Sequence, residues 1–379
     1  MFDRNKFLDI EPYFDEKQCN EACARIKAHP EIIYAIATAL FPVSDEDAYE
    51  KRKMFTGAVI GRLDEVHSYD DFQKKITVGV FLPTVLSNSA DKFTFSGLDK
   101  LSPDTSYLFI SNHRDIVLDC ALLDLALFKS GLPLCEMAIG DNLLANQLIE
   151  DIFKLNGAII VKRDLPFREK YLETIRLSEY FVGKIESGKS IWVAQKSGRS
   201  KDGKDVTHPS IIKMLYLDRK REGVSFADVI KTCRIVPVAV SYEYDPNDIS
   251  KAREEVETIS KGHYEKKKNE DVFSMIRGLR LWKGNIHISF GTPLTDRAYT
   301  SAEEVAAEVD RQIHSMYRLC DTNWFSYDYV SGNEDNRDKY EGFDSQAFLS
   351  RYSHLNSEVR SFILNSYANP VRSYLEAVR

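Results

Sequence analysis

The pattern of hydrophobic and polar positions changes character twice along the chain. Before about residue 95, apolar residues recur at helical spacing over 16–28, 31–40 and 45–64, and strand-like alternation is scarce. Further on, short apolar runs alternate with amphipathic helical stretches, and these runs cover residues 107–110, 138–139, 158–161, 191–194, 235–240 and 286–290. Strands that alternate with helices are typical of an α/β domain with a largely parallel sheet.

After about residue 300 the pattern becomes helical again. Helical spacing covers 301–320, 345–351, 357–366 and 370–378, whereas 326–342 is polar and predicts an extended loop. We therefore expect an N-terminal helical domain over 1–95, an α/β domain over 96–300 and a C-terminal helical region over 301–379. The expected fold class is α/β, with a mixed, largely parallel sheet flanked by helices. Pro237, inside the run at 235–240, is expected at a strand end, edge or bulge.

Composition narrows the class of protein. The 379 residues are 43% hydrophobic and 29% charged, which is typical of a globular protein. With 51 Lys and Arg against 58 Asp and Glu, the net charge of −7 argues against a nucleic-acid binder, which needs a basic excess. The six cysteines are scattered, and this predicts a reducing compartment without a disulfide framework.

The chain has no segment that predicts a membrane-spanning helix. No window of about 18 residues is continuously apolar, and the N-terminal residues lack the apolar core of a signal peptide. A basic, amphipathic stretch at 266–268 and 275–283 could lie on an anionic leaflet, or equally form a helix with its apolar side packed inward. We therefore expect a cytoplasmic protein that attaches peripherally to the inner face of the membrane.

The strongest candidate for chemistry is His113, which follows the predicted strand at 107–110. The carboxyl ends of strands are where α/β sheets form ligand crevices. An imidazole there can act as a general base, and a following Asp can fix its tautomer and stabilise the imidazolium. Asp115 and Asp119 both follow, so either could be this partner. Alternatively, the His and an Asp cap the next helix.

The segment that contains Asn112 and His113 resembles the first motif of the glycerol-3-phosphate and lysophosphatidate acyltransferase superfamily, Asn-His-x4-Asp. Five residues, rather than four, separate His113 from Asp119. Asp119 is the preferred match because apolar helix residues follow it, as they follow the family's Asp. Asp115 is the alternative.

Two basic blocks add to the resemblance. Residues 157–163 resemble the family's Gly-x-x-Phe-x-x-Arg block and contain Lys162 and Arg163. Residues 191–203 resemble the block Phe-Pro-Glu-Gly-Thr-Arg-Ser, or a shorter variant that reads Gln-Arg-Glu-Gly-Arg. The candidate contacts in this second block are Lys196, Ser197, Gly198 and Arg199, and Ser197 stands where the variant has Glu.

Two apolar blocks complete the resemblance. Residues 235–242 resemble the family's Val-Pro-Val strand and contain Pro237. Residues 284–294 resemble the strand and Gly-x-Pro turn that close the family domain. Five blocks therefore occur in the family's order within residues 107–294.

The resemblance implies direct transfer of a fatty acyl group from a thioester, on coenzyme A or acyl carrier protein, to glycerol-3-phosphate or lysophosphatidate. His113 would remove the acceptor's hydroxyl proton and Asp119 would orient it. The implied substrate-binding residues are Asn112, Lys162, Arg163, Lys196, Ser197, Gly198, Arg199 and Pro237, with the cationic side chains around the acceptor phosphate. We expect no cofactor, no metal and no acyl-enzyme, and the acceptor could also be a different alcohol.

Two other functions stay open. Ser197 in place of the family's Glu would suit a catalytically impaired relative that binds lipid or a protein partner. Residues 183–190 also spell the P-loop string Gly-x4-Gly-Lys-Ser, which would indicate a phosphate-binding NTPase. That motif needs a strand before it and a helix after it, whereas here the predicted order is reversed.

Overall fold

Seven strands form one sheet in the computed structural model, which describes residues 4–379. The strands are β1 Lys92–Ser96, β2 Leu108–Ser111, β3 Glu136–Gly140, β4 Ala158–Val161, β5 Ile191–Ala194, β6 Ile235–Tyr242 and β7 Asn285–Phe290. Their order across the sheet is β1-β7-β6-β2-β5-β3-β4, and every neighbouring pair is parallel except β6 with β7. The expected α/β class and largely parallel sheet are confirmed.

Helices surround this sheet and form both ends of the described chain. They are α1 Glu16–Ala28, α2 Glu31–Leu40, α3 Glu46–Arg62, α4 Tyr69–Phe72, α5 Leu82–Ser89, α6 Leu118–Lys129, α7 Gln147–Leu155, α8 Phe167–Glu186, α9 Pro209–Arg221, α10 Phe226–Cys233, α11 Asp248–Lys261, α12 Glu270–Arg280, α13 Ala302–Met316, α14 Asp321–Ser331, α15 Ser345–Ser350 and α16 Ser357–Ala377. Asp45 and Ser301 cap α3 and α13, because their side-chain oxygens accept from N–H groups of the first turn. Among the helices of residues 4–379, none is long and apolar enough to cross a membrane.

Burial on both faces explains why the central strands are continuous apolar runs. Every residue of β2 and β6 is buried, as expected for parallel strands covered by helices on both sides. Pro237 lies within β6, opposite Ile110 of β2, so its expected place at a strand end, edge or bulge is wrong. The carbonyl of Pro237 accepts from the N–H of Gly291, which lies just beyond the end of β7. The ladder between β6 and β7 therefore ends at Pro237, and the sheet does not need the N–H that proline lacks.

The pattern of hydrophobic positions does not predict β1 or the C-terminal part of α14. β1 is short, has polar residues at both ends and pairs only with β7, so its sequence carries a weak strand signal. The predicted loop at 326–342 is wrong in its first part, because α14 continues to Ser331. Phe325 packs edge-on against Phe348, with ring centroids 5.9 Å apart, and such aromatic packing stabilises a helix that mixes polar and aromatic residues.

A π-helix over Gln73–Phe81 joins α4 to α5, so that residues 69–89 form one continuous helical segment. π-Helical turns are rare, and many of those known lie at functional sites. Ile76 and Val78 of this segment face an apolar cavity that is described below.

One apolar core joins the N-terminal helices to the sheet. It includes Ile26 of α1, Phe55 of α3 and Ile110 of β2. A second cluster packs α11 against the C-terminal helices around Phe325 and Tyr352. The division at residues 95 and 300 stays a prediction. Residues before 95 share the core of the sheet, and β1 lies across that boundary.

One edge of the sheet collects the ends of the parallel strands. β2 to β6 finish at this edge, and the antiparallel β7 begins there. α12 immediately precedes β7 and packs over the same edge, where Gly278 contacts Asp115. This carboxyl edge is where an α/β sheet of this kind binds its ligand.

Candidate active site

A histidine–carboxylate pair lies in the loop between β2 and α6. Nδ1 of His113 is 2.8 Å from Oδ2 of Asp119. The His113 side chain is 15% exposed and that of Asp119 is fully buried. No protein group within residues 4–379 hydrogen-bonds Nε2 of His113. Because Asp119 holds Nδ1, the other nitrogen of a neutral imidazole can accept a proton from a ligand.

Four hydrogen bonds hold the carboxylate of Asp119, and the first is the one to His113. Its Oδ2 also accepts from the backbone N–H groups of Arg114, at 2.6 Å, and Asp115, at 2.9 Å. Its Oδ1 accepts from the hydroxyl of Tyr242, at 2.8 Å. The loop after His113 therefore wraps around this carboxylate, which accommodates the five-residue spacing. Burial and the charge of Asp119 raise the pKa of Tyr242 well above its usual range, so Tyr242 stays a donor.

Asp115 has a different task from Asp119. Its Oδ1 accepts from the N–H groups of Val117, at 3.0 Å, and Leu118, at 2.9 Å, so it satisfies the first turn of α6. Its Oδ2 is buried without a partner, close against Gly278. Burial, with the charge of Asp119, raises the pKa of Asp115. Of the two acids left open by the sequence, the structure places Asp119 at the imidazole.

Asn112 is used within the protein. Its Nδ2 donates to Asp205 Oδ2 at 3.1 Å and to the carbonyl of Val240 at 2.9 Å. Its Oδ1 accepts from the N–H of Val240 at 2.7 Å. The amide joins the end of β2 to β6, which argues for a structural role in place of the expected substrate contact.

The loop after β5 lies beside His113. The N–H of Ser200 donates to the carbonyl of His113 at 2.7 Å. Gly198 has a φ of 78°, a left-handed conformation that glycine adopts without strain. Ser197 is exposed. Nη1 of Arg199 is buried without a hydrogen-bond partner in residues 4–379, so this guanidinium is available to a ligand.

Lys162 and Arg163 lie at the same edge but at its far end. β4 is three strands away from β2, and at about 4.8 Å per strand this separates their chains by roughly 14 Å. Nζ of Lys162 is 2.7 Å from Oδ2 of Asp9, so its charge is already neutralised. Arg163 is exposed and lies against Gly140, where an added Cβ would be 2.3 Å from its Nε. Neither side chain converges on His113, contrary to the expectation from the motif.

Pro237 also falls outside the site. It is buried in β6 at the level of Ile110, which precedes the end of β2. It is one residue short of the end of β2 and buried, so the expected substrate contact at Pro237 lacks structural support.

Charged groups lock the His113 loop to the C-terminal half of the chain. Nη2 of Arg114 is 2.6 Å from Oδ2 of Asp205. Nζ of Lys251 donates to the carbonyl of Arg114 at 2.7 Å and pairs with Asp245. These residues, and Tyr242, are missed by sequence reasoning, because only the folded loop brings them together. Tyr242 ends the Val-Pro-Val block, but no spacing rule singles it out.

An apolar cavity of about 340 Å³ opens next to the His113 loop. Its walls come from the N-terminal helices, the π-helix, α6, β3 and α12, through side chains that include Ile36, Phe55, Ile76, Val117, Cys120, Ile139, Met275, Ile276 and Leu279. Its polar lining includes Gln73, Thr77, Asp124 and Asn156. Volumes of 300 Å³ and more are typical of ligand pockets. The cavity therefore has the size and chemistry of a binding site for an alkyl chain.

The P-loop string lies at the opposite edge of the sheet. Residues 183–190 join the end of α8 to the start of β5, so a helix precedes the turn and a strand follows it. Nζ of Lys189 contacts Asp70 at 3.1 Å, and Lys184 pairs with Glu136. This confirms the reversed order and argues against a nucleotide site. Within residues 4–379, no group of three or more His, Cys, Asp or Glu side chains could hold a metal ion.

The family model and the sequence relatives indicate the same class of protein. Residues 92–241 match a family model described as Acyltransferase. The glycerol-3-phosphate acyltransferase of Pseudomonas fluorescens (strain SBW25) is 23% identical over 212 residues, which cover 55% of this chain and 23% of that protein. The glycerol-3-phosphate acyltransferase of Hamiltonella defensa is 28% identical over 204 residues, covering 51% and 22%. The match thus spans about a quarter of the length of these relatives.

A crystal structure of the 1-acyl-sn-glycerophosphate (LPA) acyltransferase PlsC from Thermotoga maritima matches with 13% identity and a TM-score of 0.40, over 75% of this chain and 94% of that one. Residues 92–241, which carry the His–Asp pair at the carboxyl edge, form an acyltransferase domain. In sequence this region is similar to the glycerol-3-phosphate acyltransferases, which supports a place in the phospholipid and glycerol acyltransferase superfamily.

Proposed function

We propose that the chain transfers a fatty acyl group from a thioester to the hydroxyl of glycerol-3-phosphate or lysophosphatidate, with His113 as the general base. The observation that carries this proposal is the pairing of Nδ1 of His113 with buried Asp119, which leaves Nε2 without a protein partner. Two neighbours of this pair add to the proposal. Ser200, next to Arg199 with its unpartnered Nη1, bonds to the His113 backbone, and Ile116 and Val117 of the His113 loop line an apolar cavity.

The chemistry needs one proton relay. Nε2 of His113 takes the proton of the acceptor hydroxyl while that oxygen attacks the thioester carbonyl carbon. The tetrahedral intermediate collapses as the C–S bond breaks, and the imidazolium returns the proton to the departing thiolate. Asp119 keeps the imidazole in the correct tautomer and stabilises the imidazolium between these steps. The acceptor oxygen attacks the thioester directly, so the proposed reaction has no acyl-enzyme.

Two parts of the site hold the two substrates. Arg199, with Lys196 beside it on the same loop, would hold the acceptor phosphate and position its hydroxyl at His113. The apolar cavity would take the alkyl chain, because burying methylene groups is favourable and its walls are almost wholly apolar. The thioester carrier is coenzyme A or acyl carrier protein, and the proposed reaction uses no cofactor.

Peripheral attachment to the inner face of a membrane would fit a lipid product. α12 lines the cavity with Met275 and Ile276. On the outside of the same region, Phe273 and Trp282 are 56% and 47% exposed. Exposed lysines at 266–268 precede them. A helix with exposed aromatic side chains and nearby cations suits an anionic lipid surface.

The test is acyl transfer from an acyl-CoA and an acyl carrier protein thioester to each of the two acceptors. His113→Ala should lower kcat about 10²–10⁴-fold, which is the usual contribution of general-base catalysis. His354→Ala removes an exposed histidine of the C-terminal region and should leave kcat within about twofold. Full activity of His113→Ala would exclude the base. A wild type inert toward both acceptors would favour the alternative, a relative that binds lipid without catalysis.

A further inference from the structure

Arg199 is a single guanidinium, whereas a phosphate monoester carries nearly two negative charges at neutral pH. Of the other basic side chains expected from the motif, Lys162 pairs with Asp9 and Arg163 lies at the far end of the edge. Lys196 adds a point charge on the same loop but no second planar fork. We propose that Arg277, on α12, is a second ligand of the acceptor's phosphate and completes an anion site with Arg199. This inference rests on the proposed function and names a binding residue for it.

Arg277 is a partly buried cation without a carboxylate partner. Its Nε donates to Oδ1 of Asn247 at 2.9 Å, and its Nη2 donates to Oγ of Ser274 at 3.1 Å. No acidic side chain within residues 4–379 forms an ion pair with it, although the charge of Glu270 is near. The two neutral contacts fix the plane of the guanidinium but leave its charge uncompensated. An uncompensated cation away from bulk water is costly unless an anion completes it.

Arg199 and Arg277 both adjoin residues that contact the His113 loop. Ser200, next to Arg199, donates to the carbonyl of His113, and Gly278, next to Arg277, packs on Asp115. Burial, and then the positive charge of Arg199, lowers the pKa of Arg277. The charge of Arg199 also reaches Asp115 and Lys251. Nη1 of Arg199 is itself buried without a partner. Neither guanidinium forms an ion pair with a carboxylate within residues 4–379, and a bound dianion would stabilise both of them.

Gly278 sets the position of Arg277. A Cβ at residue 278 would lie 2.1 Å from Oδ2 of Asp115, so only glycine allows α12 to pack directly on the His113 loop. This contact packs α12 on the loop that carries the general base, with Arg277 next to the point of contact, while Met275 and Ile276 of the same helix line the apolar cavity. One helix therefore contributes to both substrate sites.

Lys251, the third cation of this cluster, has a different role. Its Nζ already donates to the carbonyl of Arg114 and pairs with Asp245. Because its ammonium group is already hydrogen-bonded, Lys251 only adds positive charge near the site. Arg199 and Arg277 are therefore the two guanidinium groups that we propose as phosphate ligands.

The experiment measures binding of glycerol-3-phosphate to the full chain by calorimetry, and acyl transfer in the same buffer. Arg277→Gln should raise Kd, and KM for the acceptor, about tenfold or more, the usual effect of losing one charge-assisted hydrogen bond. KM for the acyl thioester should change less than about twofold, because the acyl chain binds elsewhere. Arg253→Gln is the matched control, since Arg253 is an exposed arginine of α11.

Two further variants separate ligand contact from helix position. Arg277→Lys keeps the charge but loses the planar fork, so Kd should rise by a smaller factor, about threefold. It also serves as the test if the glutamine variant fails to fold. Gly278→Ala should raise Kd as Arg277→Gln does, because the added methyl group would lie 2.1 Å from Oδ2 of Asp115 and must shift α12 or that carboxylate.

The two proposals fail in different ways. If wild type binds glycerol-3-phosphate and Arg277→Gln weakens binding, but no acyl group is transferred, the proposed reaction is lost and the anion site stands. If acyl transfer proceeds and Arg277→Gln behaves like Arg253→Gln in both Kd and KM, the role of Arg277 is overturned. Wild type that binds no phosphate monoester would also overturn it.

Discussion

The two ends of the carboxyl edge carry similar residues and use them differently. At the β2–β5 end, Arg199 has a buried nitrogen without a partner, next to His113. At the β4 end, Lys162 is neutralised by Asp9 and Arg163 lies exposed against Gly140. Both ends match basic blocks of the same family. A basic side chain at a strand end can therefore bind the ligand only under two conditions. The order of the strands must bring it near His113, and it must not already form an ion pair with a carboxylate.

The order of strands accounts for the difference. β4 follows β2 closely in sequence, yet β5 and β3 lie between them in the sheet. The β4 end is occupied by the N-terminal segment, whose Asp9 contacts Lys162 and Arg176. The β2–β5 end is covered by α12, whose Gly278 leaves room at Asp115. One end thus holds chain segments together, and the other keeps free donors beside a base.

The largest expected effect lies at the catalytic pair. Asp119→Asn should lower kcat about 10²–10⁴-fold, because the imidazole loses both its tautomer and its stabilising charge. Asp115→Asn should cost about threefold or less, since Oδ1 can still accept from Val117 and Leu118. Steady-state kinetics of both variants, with thermal unfolding as a folding check, decide between the acids. Equal losses would return Asp115 to the reaction.

The two ends of the edge are compared directly by Arg199→Gln and Arg163→Gln. The first should raise KM for the phosphorylated acceptor about 10–100-fold, because a desolvated charge-assisted contact is lost. The second should change KM less than about twofold, because an exposed cation far from the phosphate is screened by solvent. The measurement is KM for glycerol-3-phosphate at fixed ionic strength. A comparable loss in Arg163→Gln would show that the β4 end moves toward His113 during the reaction.

The sequence predicts those site residues that lie close together along the chain. It does not predict those that tertiary packing brings together from distant segments. The position of His113 after a buried strand follows from the apolar run before it, and Asp119 lies on the helix that the pattern predicts. The roles of Lys162 and Arg163 could not be predicted, because strand order and the Asp9 contact are set by tertiary packing. Tyr242 and Arg277 lie 123 and 158 residues beyond Asp119, and no spacing links them to it.

Tyr242→Phe should have a smaller effect than the changes at Asp119 or Arg199. It removes one of four hydrogen bonds to Asp119 and leaves Oδ1 buried without a donor. We expect kcat to fall about 3–10-fold, in line with one hydrogen bond to a charged group. Tyr352→Phe is the matched control, because its hydroxyl donates to the buried carboxylate of Asp248 at 2.6 Å, in the C-terminal cluster. The control should lower stability by a similar amount and leave kcat unchanged, whereas equal kinetics for the two variants would make Tyr242 merely structural.

The smallest effect tests the claim that the β4 end serves structure alone. Arg176, and then Lys162, lower the pKa of Asp9 well below its usual range. A lowered pKa means that the folded state prefers the charged carboxylate, so its contribution to stability is complete above the unfolded pKa, about 3.9. The contribution is then lost as pH falls below that value toward the folded pKa. Because Asp9 is half exposed, we expect Asp9→Asn to lower the free energy of unfolding by only about 1 kcal/mol at pH 7.

That difference between wild type and Asp9→Asn should stay constant from pH 7 to about pH 4.5 and shrink at lower pH. Urea unfolding at several pH values measures it, and Lys162→Gln provides a second break of the same ion pair. Neither variant should change KM for the acceptor, because both act on the far end of the edge. If either variant raised KM for the acceptor without changing stability, Lys162 would be a ligand of the phosphate that Asp9 positions. The two ends of the edge would then form one site.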